Sequence, residues 1–137
     1  ASMSFIDARY TDFKTYTSSD TTGNRVENAP RYIHSFGLSW STNQFSSTLQ
    51  YRMSGEVFTD ANNTTTPSAN GTTGLLDGYQ LLDLSAEYKF MSTYNIKAGI
   101  NNLTNESYAT RRSGGYPGPG ILPGNARTFY ISLGMKL

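Results

Sequence analysis

The chain has 137 residues, a formal net charge of +1, one His and no Cys. A charge this close to zero leaves no electrostatic footprint for nucleic acid, and no run of roughly 18 apolar residues is present to form a membrane helix. Aromatic residues make up 13% of the chain (10 Tyr, 7 Phe and 1 Trp) although the mean hydropathy is only −0.48. A transmembrane β-barrel reconciles the two, because only alternate residues meet lipid and aromatic girdles flank them; a Tyr-rich soluble β-domain fits composition equally well.

Period-2 alternation predicts six strands. The first runs from Ser4 to Lys14, with Ile6, Ala8 and Tyr10 on one face and Asp7, Arg9 and Thr11 on the other. The second, Arg31 to Ser41, sets Tyr32, His34, Phe36, Leu38 and Trp40 against Arg31, Ser35, Gly37 and Ser39. In the third, Phe45 to Phe58, Phe45, Leu49, Tyr51, Met53 and Val57 oppose Ser46, Thr48, Gln50, Arg52, Ser54 and Glu56. The fourth, Tyr79 to Phe90, places Leu82, Leu84, Ala86, Tyr88 and Phe90 against Asp83, Ser85, Glu87 and Lys89. The fifth is Tyr94 to Asn101, with Tyr94, Ile96, Ala98 and Ile100 on its apolar face. In the last, Arg127 to Leu137, Phe129, Ile131, Leu133, Met135 and Leu137 alternate with Tyr130, Ser132, Gly134 and Lys136. No helical periodicity competes over these windows.

Connections alternate in length. Ser41 to Gln44 and Met91 to Thr93 are short. Thr15 to Pro30, Thr59 to Gly78 and Asn102 to Ala126 are long and rich in Gly, Pro, Asn, Ser and Thr. Short turns on one side and long loops on the other characterise outer-membrane barrels, and each strand supplies the roughly 9–11 tilted residues that cross the hydrocarbon layer. With Leu137 placed at the short-turn rim, Trp40, Phe45, Tyr88, Phe90 and Tyr94 gather beside the short turns on the apolar faces. That is the depth of an aromatic girdle; an aromatic cluster at one end of a soluble core is the alternative. Arg9, Arg52, Glu56, Asp83, Glu87, Lys89, Lys97 and Lys136 fall on the other face, which a barrel would turn to its lumen.

Six strands do not close a membrane barrel, since bacterial single-chain barrels start at about eight, and an open sheet in lipid leaves unsatisfied edges. The expectation is an all-β, antiparallel transmembrane barrel of which residues 1–137 form the carboxy-terminal six strands. The chain already reads as strand at Ala1, with no signal peptide, so the remaining strands are expected to lie upstream.

Three stretches sharpen this. Tyr79-Gln80-Leu81-Leu82-Asp83-Leu84-Ser85-Ala86, Ile100-Asn101-Asn102-Leu103-Thr104-Asn105-Glu106-Ser107-Tyr108 and Arg127-Thr128-Phe129-Tyr130-Ile131-Ser132-Leu133-Gly134 resemble TonB-dependent outer-membrane receptors. Asn28-Ala29-Pro30-Arg31 is similar to the opening of an earlier strand there. The resemblance runs from about Gly23 to Leu137. It implies a barrel of about 22 strands with a plugged lumen, in the outer membrane of a Gram-negative bacterium. It also implies a TonB complex as partner through a plug expected outside this sequence, contact with outer-membrane lipids and lipopolysaccharide, and recognition of Phe129 to Leu137 by the barrel-assembly machinery. Tyr108 to Pro123 looks like the last outer loop of the ferric-citrate transporter branch, which implies uptake of an iron(III) chelate such as ferric citrate or a siderophore. The chelate is cargo, and no cofactor is expected.

Arg111 and Arg112 are adjacent at the top of the last hairpin. Side chains of neighbouring extended residues point opposite ways, so one can face the lumen. An Arg there suits a carboxylate-rich anion through bidentate pairing; solvated or headgroup-contacting arginines are the alternative. With no Cys and a lone His34 on an apolar face, no transition-metal site is expected. Asp60, Asn62, Asn63 and Asp77 match no EF-hand spacing, and the Gly/Pro-rich stretch from Gly114 lacks the helix of a phosphate loop. No Ser-His-Asp arrangement is available, so an enzyme is not expected. The rival readings are another outer-membrane barrel, such as a passive porin or an adhesin, and a soluble β-domain used for binding.

Overall fold

A computed structural model describes residues 1–12, 14, 20–91, 93–116 and 118–135. Eight strands follow in chain order: β1 (Ser2–Phe5), β2 (Tyr32–Ser41), β3 (Phe45–Ser54), β4 (Tyr79–Phe90), β5 (Tyr94–Asn101), β6 (Ala109–Ser113), β7 (Gly120–Pro123) and β8 (Thr128–Met135). The six predicted strands form one antiparallel sheet in the order β1-β2-β3-β4-β5-β8, while β6 and β7 make a separate hairpin.

Register follows the apolar alternation, because a slip of one residue would send every side chain to the opposite face. Leu38 pairs with Leu49, Leu49 with Leu84, Leu84 with Ile100 and Ile100 with Phe129, an unbroken apolar row across five strands. Phe45, Tyr88, Ile96 and Leu133 form a second row. Among the described residues nothing covers this face: Leu38, Ile131 and Leu133 are 73%, 71% and 76% exposed. The buried apolar residues among those described are Leu76 and Leu81, both near the long loops. A water-soluble sheet would bury the row and expose the ends; here the order is inverted.

The opposite face is polar and internally paired. Arg52 meets Asp83 at 2.6 Å. The Asn95 amide donates to Glu87 at 3.1 Å, and Ser39 bonds Thr48 at 2.9 Å. Lys97 stands opposite both Glu87 and Ser132. Gly99 lies opposite Tyr130, and a Cβ there would collide with the phenol ring. The ring therefore lies over bare backbone, which covers a weak point in β5.

Three expectations need correction. The first strand is Ser2–Phe5 rather than Ser4–Lys14. Its apolar residues are Met3 and Phe5, opposite His34 and Tyr32, instead of Ile6, Ala8 and Tyr10. The ladder closes with the Ile6 amide on Arg31 O. Pro30, next along the partner, has no N–H to continue it, and Asn28 turns the chain at φ 57°. Beyond the break the two arms meet again in another register, with bridges at Arg9–Arg25 and Lys14–Asp20. The third strand stops at Ser54 rather than Phe58. The Gly55 amide still continues the ladder to Tyr32 O, but beyond it Val57 survives only as a lone bridge to Leu76. The stretch from Asn102 to Ala126, read as loop, contains the β6–β7 hairpin. Its strands are short, bulged between Ala109 and Arg111, and interrupted by Gly and Pro, so no alternation announced them. Lys136 and Leu137, and with them the rim position expected of Leu137, lie outside the described residues. So does Phe13 of the expected first strand.

Candidate functional site

The long-loop end is built on the turn after β5. Asn102 is 4% exposed and adopts φ 53°; Asn105 adopts φ 57°. The left-handed region tolerates Asn better than any other residue except Gly, which explains both asparagines of the Asn102-Leu103-Thr104-Asn105 stretch. The Asn102 side chain donates to Glu106 O and Asn125 O at 2.8 and 3.1 Å and accepts the Glu106 amide at 2.7 Å. Its own amide donates to Asp83 Oδ1 at 2.8 Å. The Asp83 carboxylate thus ties the turn to Arg52 on β3. On the far side, Asn105 Oδ1 accepts the Arg127 amide at 3.3 Å, at the entry to β8.

This turn carries the β6–β7 hairpin. Tyr108 packs on Tyr79 with ring centres 4.5 Å apart and covers Gly124. Arg111 and Arg112 diverge, as an extended segment requires. Arg111 is exposed. Arg112 is half-buried and donates to Gly71 O at 2.9 Å and Leu75 O at 3.3 Å, while its Nε is buried without an acceptor. A cavity of about 480 Å³ lies beside it, lined in part by Asp77, Glu106, Tyr108 and Arg112.

The rings gathered beside the short turns touch in sequence. Trp40 meets Phe45 at 5.5 Å, Tyr88 meets Phe90 at 6.2 Å and Phe90 meets Tyr94 at 5.6 Å. Phe45 is also the cross-strand partner of Tyr88. Sequence reasoning missed a second aromatic cluster nearer the long loops: Phe5 and Tyr32 both meet His34, at 5.1 and 5.4 Å, His34 meets Phe36 at 6.2 Å and Phe36 meets Tyr51 at 6.3 Å. The signal was present in Tyr32, His34 and Phe36 at i, i+2, i+4. Phe5 joins only through the register of β1. Phe129, Ile131, Leu133 and Met135 are all exposed on β8, which pairs through β5 and leaves its other edge open.

Two loop groups titrate away from their usual values. The Tyr10 hydroxyl donates to Glu27, and this bond holds the phenol above its ordinary range. Hydrogen bonds from the Thr22 hydroxyl and amide hold the Asp20 carboxyl below its usual range. Among the described residues no group of three His, Asp or Glu side chains is placed to hold a metal ion.

Residues 1–103 match the family model described as TonB dependent receptor-like, beta-barrel; the β6–β7 hairpin and β8 lie beyond that match. Among solved structures, the ferric citrate transporter FecA in its unliganded form is 27% identical, with a TM-score of 0.78 over 85% of this chain and 18% of that one. The siderophore receptor PiuA from Acinetobacter baumannii is 17% identical, with a TM-score of 0.69 over 89% of this chain and 16% of its own. The ferric yersiniabactin uptake receptor FyuA from Yersinia pestis is 22% identical, with a TM-score of 0.64 over 84% and 17%. At those identities the last two share the fold alone. The chain spans no more than 18% of the length of these receptors.

Proposed function

Because this chain belongs to the TonB-dependent receptor β-barrel family, we propose that the protein it forms part of imports an iron(III) chelate across the outer membrane of a Gram-negative bacterium. The observation that carries this is the likeness to FecA, which extends over 85% of the chain. Ferric citrate is the proposed cargo, with a siderophore as the wider class. Uptake is powered through TonB acting on a plug outside this segment. The chain itself contributes wall, rim and outer loops, and no covalent chemistry.

The parts take roles accordingly. The uncovered apolar rows face lipid, since alternate residues of a barrel strand do so. Trp40, Phe45, Tyr88, Phe90 and Tyr94 form the girdle at the short-turn, periplasmic boundary, where amphipathic rings suit the headgroup layer. The long loops face outward, into lipopolysaccharide and solvent. Arg111, exposed on the hairpin, offers its guanidinium to the carboxylates of the chelate. Arg112 is already committed to backbone carbonyls and positions the hairpin that presents Arg111. Phe129, Ile131, Leu133 and Met135 lie on the strand read by the barrel-assembly machinery, whose signal runs on in sequence to Leu137. Family membership sets aside a porin or adhesin, and the uncovered apolar face sets aside a soluble β-domain.

Growth on ferric citrate as sole iron source, with and without the gene, tests the cargo. Growth is expected only with the gene, and equal growth in both strains would sink ferric citrate. Arg111→Ala in the full receptor is expected to weaken ferric citrate binding by about tenfold, the loss of one charge-assisted pair, with the fold unchanged.

A further inference from the structure

The long loops do not stand apart. The arm from Asp20 to Asn28 is bound to the segment from Glu56 to Asn63 by several hydrogen bonds to backbone, among them Arg25 Nη2 to Glu56 O at 3.3 Å. Asn63 Oδ1 accepts the Arg25 amide at 2.7 Å and Asn63 Nδ2 donates to Arg25 O at 2.8 Å. One side-chain amide thereby pairs with a backbone as a neighbouring strand would. Asn24 Nδ2 donates to Ala61 O at 2.9 Å, and the Asn28 amide donates to Phe58 O at 2.8 Å. The Arg25 guanidinium sits 5.2 Å above the Phe58 ring and 3.4 Å from the Glu56 carboxylate. Asn63 is held ready for this at φ 54°, its amide on Asp60 O, while Asp60 also takes the Thr64 amide and hydroxyl.

The same middle loop is bound on its other side to the β6–β7 hairpin. Arg112 reaches Gly71 O and Leu75 O. Gly71, at φ 72°, approaches the hairpin so closely that a Cβ would stand 3.1 Å from Gly120 Cα. The guanidinium keeps this position although its Nε goes without an acceptor. An unmet buried donor disfavours the arrangement, so the two carbonyl bonds and the backbone approach must outweigh it.

We infer that the three outer loops form one cooperative unit. The middle loop, residues 55–78, is its hub, latched to the first loop at Asn63–Arg25 and to the last at Arg112–Gly71/Leu75. Whatever touches the hairpin then biases the first loop, although among the described residues the hydrogen bonds joining them pass through the hub. Coupling of this kind is reciprocal, so opening either latch loosens both neighbours.

Hydrogen exchange measured on the full-length, ligand-free receptor in detergent micelles tests this, whatever the cargo proves to be. Arg112→Met is expected to speed exchange by roughly tenfold or more at residues 68–76 and 109–123, and to raise it also at residues 22–28, which Arg112 does not touch. Asn63→Ala is expected to do the reverse, loosening residues 22–28 and, through the hub, residues 109–113. Strand amides at 80–90 and 94–101 must stay protected in both variants, which separates loop release from unfolding of the barrel. Faster exchange confined to the loops flanking each mutated latch would overturn the inference.

Discussion

Asn102 bears more of the long-loop end than any neighbour. A side chain 4% exposed with three hydrogen bonds to main chain, on a backbone at φ 53°, leaves several groups unmet when it is shortened. Asn102→Ala is expected to cost about 2–4 kcal/mol, from unsatisfied buried groups and left-handed strain, read as a lower urea midpoint of the receptor. Asn102→Gly removes the strain but not the lost bonds and should fall between the two. Tyr10 gives a pH signature at the same scale. Its phenol is protonated when it donates to Glu27, so its folded pKa is raised above the ordinary 10.0. A raised value means that the contact stabilises the folded loop fully below about pH 10 and is lost as pH climbs through the raised value. Subtracting the tyrosinate absorbance titration of Tyr10→Phe from that of the parent should leave one phenol with a midpoint above 10.0. Glu27→Gln should return that phenol toward its ordinary range.

At the scale of the element, β3 gives the cleanest test of which face meets lipid. Leu49 belongs to the continuous apolar row, and Thr48, its neighbour in sequence, belongs to the polar face, bonded to Ser39. Leu49→Lys is expected to cost about 2–4 kcal/mol in lipid vesicles, the depth-dependent penalty for a cation on the lipid side. Thr48→Lys should cost under about 1 kcal/mol, the loss of one polar-face hydrogen bond. Equal costs would mean that both faces meet the same medium. Strand identity itself was legible in the residues. The alternation over Phe45, Leu49, Tyr51 and Met53, and over Leu82, Leu84, Ala86 and Tyr88, sets the register that the sheet adopts. The ends of strands were less legible, because they depend on the partner strand: β1 stops where Pro30, opposite its continuation, has no N–H to offer. The hairpin at Ala109–Pro123 was hidden for a different reason. It is held by Arg112, Tyr79 and Gly71, none of which leaves a local periodic signal.

For the whole molecule, the six-stranded sheet presents open edges at β1 and β8 and an apolar face that none of the described residues covers. Expressed alone in water, residues 1–137 should aggregate through those edges and that face, seen as sedimentable material that detergent partly disperses. A monodisperse, folded monomer without detergent would contradict the lipid-facing assignment. The amino-acid order by itself determined β2, β3, β4, β5 and β8 and the side each of their residues takes, the sorting of short and long connections, and the family likeness. All of these are local or periodic and need only the two-residue repeat and the turn chemistry. Only the tertiary structure decided the opposite face phase of β1, the use of Arg112 as a latch and Arg111 as the exposed cation, the burial of Asn102, and the joining of three loops through residues 55–78. Each of those depends on backbone groups brought together from distant parts of the chain, and a carbonyl that accepts a hydrogen bond carries no mark of it in the sequence.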